Sequence, residues 1–404
     1  MPRGASRREP SVSAVNTQPA TRTAELKALA LLFLKLGTIG FGGPAAHLAL
    51  MEQEVVQRRK WLTHEEFLDL MGATNLIPGP NSTEMAIHIG YRRAGFAGLV
   101  VAGVCFIVPA TLIVMACGWV YRRYGELPSV EAILYGIKPV IIAIVGQALW
   151  NLGRSALKTR LLAIIAVAAA TLNFSGANEL ALLFGAGVIA LLARAGRSAD
   201  APAVATPPPM LKALVAAAAP ASTTSAAGAA FGLWPLFWFF VKVGSVLYGS
   251  GYVLLAFLRS GIVERFGWLT EEQLLDAVAV GQFTPGPVFT TATFIGYVLG
   301  GTPAALVATA GIFLPAFVFV AASGPLVPWL RKSALAGAFL DGVVAASLAL
   351  MAVVTFHLVR SALIDWVTLL VGATALWLLL RHRTNSLWLV PGGAVVGLAR
   401  LFFL

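Results

Sequence analysis

The chain contains 404 residues, of which 58% are hydrophobic and only 12% are charged. A soluble globular domain carries roughly 25% charged residues, because its surface must be solvated. Half that fraction predicts an all-α polytopic membrane protein and excludes most classes of soluble enzyme. The 40 glycines and 22 prolines agree, since both residues are commoner in membrane helices than in soluble ones.

The net charge of +11 comes from 29 lysines and arginines against 18 acidic residues. Basic residues are enriched in the cytoplasmic loops of membrane proteins, and this bias explains most of the excess. A second interpretation is that part of the positive charge lines a path for an anion.

The chain divides into two repeats. Residues 1–24 lack the apolar core of a signal peptide, which predicts a disordered tail and a cytoplasmic N-terminus. Residues 25–195 and 231–404 are assigned to two transport repeats, and the stretch 196–230, rich in Pro, Ala, Ser and Thr, predicts a linker. The predicted apolar segments of the first repeat are 26–51, 63–77, 81–91, 95–121, 128–152, 160–174 and 177–194. Those of the second repeat are 231–258, 270–284, 288–299, 303–327, 334–359, 362–380 and 386–404.

An internal duplication relates the two halves. The segment 61–69 aligns with 268–276 at an offset of 207, with identical residues at most positions. The same offset superposes Lys35 on Lys242, and an offset of 206 then superposes Gly136 on Gly342. Such a constant offset over a long stretch indicates two homologous repeats.

The distribution of loop charge indicates that the repeats are inverted. The basic loop at Arg92 and Arg93 is matched in the second repeat by the neutral stretch 298–301. Conversely, Arg331 and Lys332 appear without nearby acidic residues. Because Lys and Arg stay on the cytoplasmic side, a basic side that changes between halves predicts opposite orientations.

Each repeat contains one Pro-Gly-Pro motif within sequence that otherwise predicts helix. Two prolines around a glycine break a helix, and such backbone is tolerated in a membrane only inside protein or beside an aqueous cavity. Side-chain hydroxyls and an Asn can cap the half-helix that follows, whose N-terminus attracts anions. The alternative for each motif is a simple packing kink. The alternative for the amides of Asn75 and Gln282 is that they only satisfy the carbonyl groups freed by the break. The candidate substrate-binding residues here are Gly42, Gly43, Asn75, Pro78, Gly79, Pro80, Asn81, Ser82, Thr83, Gln282, Pro285, Gly286, Pro287 and Thr290.

Four charged or titratable residues lie near these motifs. Lys35 and Lys242 interrupt apolar runs, so each either extends its ammonium to the membrane surface or donates positive charge to an anion cavity. Both are kept as substrate-binding candidates. Glu84 and His88 are spaced i, i+4 on one helix face and are candidate coupling residues for a proton. Local pairing or capping is the alternative for them.

Catalytic and nucleotide-binding motifs are missing from the sequence. There is no zinc-protease helix, Walker loop, dinucleotide fingerprint or Gly-x-Ser-x-Gly elbow. We therefore expect no cofactor, no metal, no nucleic-acid partner and no enzymatic activity. Transport would be secondary, driven by a gradient or by the membrane potential.

Four motifs carry a family resemblance: residues 41–44 (FGGP), 61–63 (WLT), 76–84 (LIPGPNSTE) and 89–95 (IGYRRAG). Together they resemble the chromate ion transporter (CHR) family in its long-chain, bidomain form, over residues 26–404 without the linker. The resemblance implies a bacterial plasma-membrane protein that exports chromate and confers resistance, with halves of opposite orientation. It also implies confusion of chromate with sulfate.

The second repeat departs from the fuller family pattern, since Asn81 and Glu84 become Val288 and Thr291. We therefore expect the first repeat to contribute more substrate contacts. The alternatives are a transporter of sulfate or another tetrahedral oxyanion, an intramembrane enzyme and a sensor without transport. Membrane lipid is an expected partner, and a homodimer is left open.

Overall fold

The computed structural model describes residues 22–197, 230–248, 251–382 and 384–403, which are mostly helical and include no β-strand. The predicted tail and linker therefore lie almost entirely outside the described residues. The first helix already begins at Arg22, inside the stretch assigned to the tail.

The first repeat contains seven helices. They are α1 (Arg22–Ile39), α2 (Gly43–Glu52, continued by a π-helical turn at Gln53–Arg58), α3 (His64–Thr74), α4 (Asn81–Tyr124), α5 (Pro128–Ala156), α6 (Arg160–Phe174) and α7 (Glu179–Arg197).

The described part of the second repeat has the same order of elements. Its helices are α8 (Leu233–Val246), α9 (Leu254–Leu258, continued by a π-helical turn at Arg259–Arg265), α10 (Glu271–Phe283), α11 (Thr291–Lys332, preceded by a 3₁₀ turn at Val288–Thr290), α12 (Ala334–Ala362), α13 (Trp366–Arg381) and α14 (Ser386–Phe403).

Capping boxes explain where α3 and α10 begin. The Thr63 hydroxyl accepts from the Glu66 N–H while the Glu66 carboxylate accepts from the Thr63 N–H, and Thr270 and Gln273 repeat the arrangement. Reciprocal caps of this kind satisfy two otherwise unpaired donors at a helix start. The duplicated Trp-Leu-Thr sequence thus encodes the same local structure twice.

Both long helices, α4 and α11, are broken near their starts. The break lies at Ala94–Gly95 in α4 and at Gly300–Gly301 in α11, with φ of 62° at Gly95 and 69° at Gly301. Positive φ favours glycine, which has no Cβ to clash. Gly90 packs so closely on Gly98 that a Cβ on either would overlap the other's carbonyl, so the chain folds back into a tight hairpin. The sequence predicted these breaks, since its apolar segments end at 91 and 299.

Helix length separates spanning helices from shorter ones. At 1.5 Å per residue, the 29 residues of α5 reach about 44 Å, which exceeds the roughly 30 Å hydrocarbon core. The 11 residues of α3 reach only about 16 Å and cannot cross. Five helical segments of the described chain are long and apolar enough to span: 81–124, 128–156, 179–196, 288–323 and 334–362.

Equivalent helices of the two repeats run antiparallel. In the arm of α4 that follows its break, Gly103 packs on Phe317, whereas Arg122 near the end of this arm lies beside Gly301, at the start of the corresponding arm of α11. These parts of α4 and α11 therefore run in opposite directions. The ion pair between Lys158 and Asp341, at 2.9 Å, belongs to a second antiparallel contact, between α5 and α12. This geometry agrees with the predicted inversion.

The repeats also exchange packing partners. Helix α5 packs on α13 and α14, and its counterpart α12 packs on α6 and α7. Gly136 of α5 touches the backbone of Gly393, and the equivalent Gly342 of α12 touches the backbone of Ala186. Each repeat is thereby completed by helices of the other.

Candidate functional site

The two Pro-Gly-Pro segments meet the opposite repeat in a reciprocal way. The chain is non-helical between Thr74 and Asn81, and again between Phe283 and Val288. The Gly79 N–H donates to the Leu247 carbonyl at 2.8 Å, and the Gly286 N–H donates to the Gly40 carbonyl at 2.7 Å. Gly40 and Leu247 are themselves equivalent at the offset of 207. We call Gly40, Gly79, Leu247 and Gly286 the inter-repeat junction.

The junction requires glycine at both motifs. Gly79 has φ 143° and Gly286 has φ 89°. A Cβ on Gly79 would overlap the carboxylate of Glu84, and a Cβ on Gly286 would overlap the methyl group of Ala110. The Gly40 carbonyl also accepts from the Nε2–H of buried His47, at 2.9 Å. Packing and hydrogen bonds thus fix the junction inside the protein.

The half-helix that starts at Asn81 has no side-chain cap. Its N-cap is Pro80, and no side chain accepts a hydrogen bond from the first turn. The prediction that the hydroxyls and an Asn cap it is therefore wrong. The Asn81 side chain instead donates to the Oδ1 of Asn75, at 2.9 Å. The Thr83 N–H donates to the Pro80 carbonyl at 2.8 Å, so the N–H groups of Asn81 and Ser82, at the positive end of the helix dipole, are the ones suited to an anion.

The second repeat differs at the same place. Val288–Thr290 forms a 3₁₀ turn, and the Thr290 hydroxyl donates to the carbonyl of Pro287 at 2.8 Å. Pro285 and Gly286 are buried, while Gln282 is half-buried just before them. Since Thr290 is occupied by its own backbone, the second repeat offers an anion fewer side-chain donors.

A group of buried polar residues follows the first motif. Glu84 is 0% exposed, Thr83 and His88 are also buried, and both Glu84 oxygens, the Thr83 hydroxyl and the His88 Nε2 have no hydrogen-bond partner among the described residues. Tyr248 of the second repeat interacts electrostatically with Glu84. A buried carboxylate without a partner is costly unless it takes up a proton or a cation. The structure thus brings the two candidate coupling residues together beside the junction.

Lys35 is at an exposed position. Its ammonium forms a 2.7 Å ion pair with Glu54, which also accepts from Arg58 and Arg59. Lys242 is exposed as well, although Gly261 stands at the position equivalent to Glu54. Both lysines are thus exposed on the protein surface and are not enclosed in a buried cavity. Gly42 and Gly43 adopt positive φ at the start of α2.

A buried charge cluster between the repeats was not predicted. Lys138 of α5 forms a 3.1 Å ion pair with Asp276 of α10, and the Tyr121 hydroxyl of α4 donates to the same carboxylate at 2.9 Å. The side chains of Lys138 and Asp276 are 19% and 6% exposed. Two signals were present in the sequence: a lysine within an apolar run, and an aspartate that closes the duplicated segment. We call Tyr121, Lys138 and Asp276 the inter-repeat triad.

Comparisons with known proteins agree on one family. Residues 27–191 and 234–398 each match the chromate transporter family. The chain is 33% identical over 398 residues to the chromate transport protein of Cupriavidus metallidurans, and the aligned region covers 96% of each chain. It is 33% identical over 359 residues to the probable chromate transport protein of Synechococcus elongatus, covering 87% of this chain and 89% of that one. No solved structure matches.

The family matches also locate the duplication. Both their starts and their ends lie 207 residues apart, which is the offset of the duplicated motifs. The fold confirms the prediction of an all-α, multi-pass membrane protein built from two homologous repeats. Since the matches cover most of the sequence, the chain belongs to the chromate transporter family, whose domain it contains twice.

Proposed function

We propose that this protein is a secondary transporter that exports chromate across the bacterial plasma membrane and thereby confers chromate resistance, with its N-terminus in the cytoplasm. The reciprocal hydrogen bonds of Gly79 and Gly286 carry the proposal, because each anchors the broken segment of one repeat on the opposite repeat. Paired interrupted helices at corresponding positions point to the binding site of a transporter. The names of the relatives from C. metallidurans and S. elongatus supply the substrate.

Chromate is a dianion, and the start of α4 offers it main-chain donors. We assign the anion to the first turn formed by Asn81, Ser82 and Thr83, where the N–H groups of Asn81 and Ser82 lie at the positive end of the helix dipole. The buried backbone of Pro78–Pro80 positions this turn, and Asn75 orients the Asn81 side chain. We assign Pro285–Pro287, with Gln282 and Thr290, as the weaker half of the site.

The driving force is electrical. Moving a dianion out of a cell that is negative inside is favourable by about 4–5 kcal/mol per 100 mV, so no ATP is needed. Glu84 and His88 follow the assigned anion site along α4, and both are buried. Because an ionised Glu84 would repel the dianion, we assign the uptake of a proton by Glu84 to the step in which the anion binds. A proton that leaves with the dianion lowers the electrical driving force to about 2.3 kcal/mol per 100 mV.

Sulfate is the alternative cargo, since it is also a tetrahedral dianion. The test is efflux of labelled chromate from vesicles containing the purified protein, with and without excess sulfate. Efflux well above that of protein-free vesicles, with sulfate competing only weakly, supports chromate as the cargo. If label leaves no faster than from empty vesicles while sulfate is transported, the chromate assignment is refuted.

A further inference from the structure

We propose that the inter-repeat triad is a one-sided gate: Tyr121, Lys138 and Asp276 hold α10 closed against α4 and α5, and they separate when that side of the transporter opens. The proposal rests on the transport function proposed above. It adds three positioning residues that are not part of the assigned anion site.

The triad joins three helices from both repeats at a buried place. Asp276 of the second repeat receives an ion pair from Lys138 and a hydrogen bond from Tyr121, both of the first repeat. The Tyr121 ring also packs edge-on against Phe294 of α11, with centroids 5.3 Å apart. A buried ion pair adds little net stability compared with apolar packing, yet separating it without water is costly. Such a pair is suited to hold one conformation until water enters.

The two repeats differ in conformation at this place. The eight consecutive residues 274–281 of α10 are buried, whereas α3 buries only Phe67, Ala73 and Thr74. Helix α10 packs on α4, α5, α11 and α12, whereas α3 packs mainly on α4. Asp69, the equivalent of Asp276, is exposed. Since α3 and α10 are equivalent in sequence, we interpret the side of the buried α10 as closed and the side of the exposed α3 as open.

The chemistry of the gate is present on one side alone. At the offset of 206, the positions of Lys138 and Tyr121 are occupied in the second repeat by Val344 and Val327. When the repeats exchange conformations, as inverted repeats do in alternating access, α3 closes and brings Asp69 toward Val344. That state has no lysine at this position. The triad therefore favours the conformation in which the α10 side is closed.

Labelling of single cysteines tests the gate in the full-length protein. In a background with Cys105→Ala and Cys117→Ala, Ala279→Cys reports on α10, where Ala279 is fully buried, and Gly72→Cys reports on the equivalent position of α3. A water-soluble maleimide is supplied to both sides of permeabilised vesicles. We expect Asp276→Asn to raise the labelling rate at position 279 at least about fivefold and to lower it at position 72.

Exchanging the two charges of the ion pair distinguishes a gate from a purely structural role. The exchange Lys138→Asp with Asp276→Lys should return both labelling rates to within about twofold of the parent. If Asp276→Asn is not inserted in the membrane, Tyr121→Phe, which removes one hydrogen bond, should shift both rates in the same directions. Rates that rise together at both positions, or that do not change, would overturn the proposal. Labelling needs no chromate, so this result is independent of the cargo.

Discussion

The main-chain N–H of Gly79 in the first repeat donates to the carbonyl oxygen of Leu247 in the second, at 2.8 Å. Its counterpart, Gly286 to Gly40, completes a reciprocal pair in which each broken segment is anchored on the opposite repeat. Irregular backbone in a membrane protein must find such partners, because lipid offers none. Movement of one repeat against the other is therefore transmitted directly to both motifs.

Gly79→Ala should abolish most transport. The alanine would be strained at φ 143° and its Cβ would overlap the Glu84 carboxylate, at a cost of order 1–3 kcal/mol. We expect at least a tenfold loss of chromate efflux at normal membrane abundance. Gly185→Ala is the matched control, since a Cβ there meets nothing within 4 Å. Equal transport by both variants would show that the motif is a packing kink.

Lys35→Gln should retain chromate export. The Lys35 ammonium is paired with Glu54 at an exposed position, and Arg58 and Arg59 remain to compensate that carboxylate. Because both arginines still pair with the buried Glu54 carboxylate in this variant, efflux should stay within about threefold of the parent. Efflux of labelled chromate from vesicles with matched protein content checks this. Loss of export in Lys35→Gln would return the lysine to the anion site.

Glu84→Gln should separate chromate movement from proton movement. Glutamine keeps the size of the buried side chain but carries no titratable proton. We expect chromate exchange between two chromate-containing compartments to continue, while chromate-driven acidification, read with an internal pH dye, is lost. Thr291→Ala, at the equivalent position of the second repeat, is the control and should keep both. Proton movement that persists in Glu84→Gln would remove Glu84 from the coupling.

The start of α3 should lose stability in acid. The hydrogen bond from the Thr63 N–H, with help from Arg92, lowers the pKa of Glu66 below its ordinary value of 4.5. A carboxylate whose pKa is lower in the folded protein contributes stability above pH 4.5, and loses it as the pH falls through the folded pKa.

Two variants at this position test that cause by thermal unfolding between pH 7 and pH 3. Glu66→Gln should keep the cap, as Gln273 does in the second repeat, and should flatten the pH dependence that Glu66 adds. Glu66→Ala should lower the unfolding temperature at pH 7 and differ less from the parent at pH 3. An unchanged acid sensitivity in Glu66→Gln would contradict the assignment.

Local signals in the sequence predicted the parts of the fold that depend on a single chain segment. Pro-Gly-Pro, the break at Gly95 and the duplicated Trp-Leu-Thr caps act on their own backbone, so each was visible in one stretch of residues. The pairing of Lys138 with Asp276 was not visible, because it forms only when helices of different repeats pack. The contact between Lys35 and Glu54 was not visible either, because Glu54 lies in the π-helical turn at residues 53–58.

The proposed site for chromate is the inter-repeat junction, at the start of α4. Anomalous scattering from chromium, in crystals of the protein grown with chromate, locates the anion directly. We expect a peak within hydrogen-bond reach of the main-chain N–H groups of Asn81 and Ser82, beside Gly79. A chromium peak at the exposed Lys35 or Lys242, with none at the junction, would contradict it.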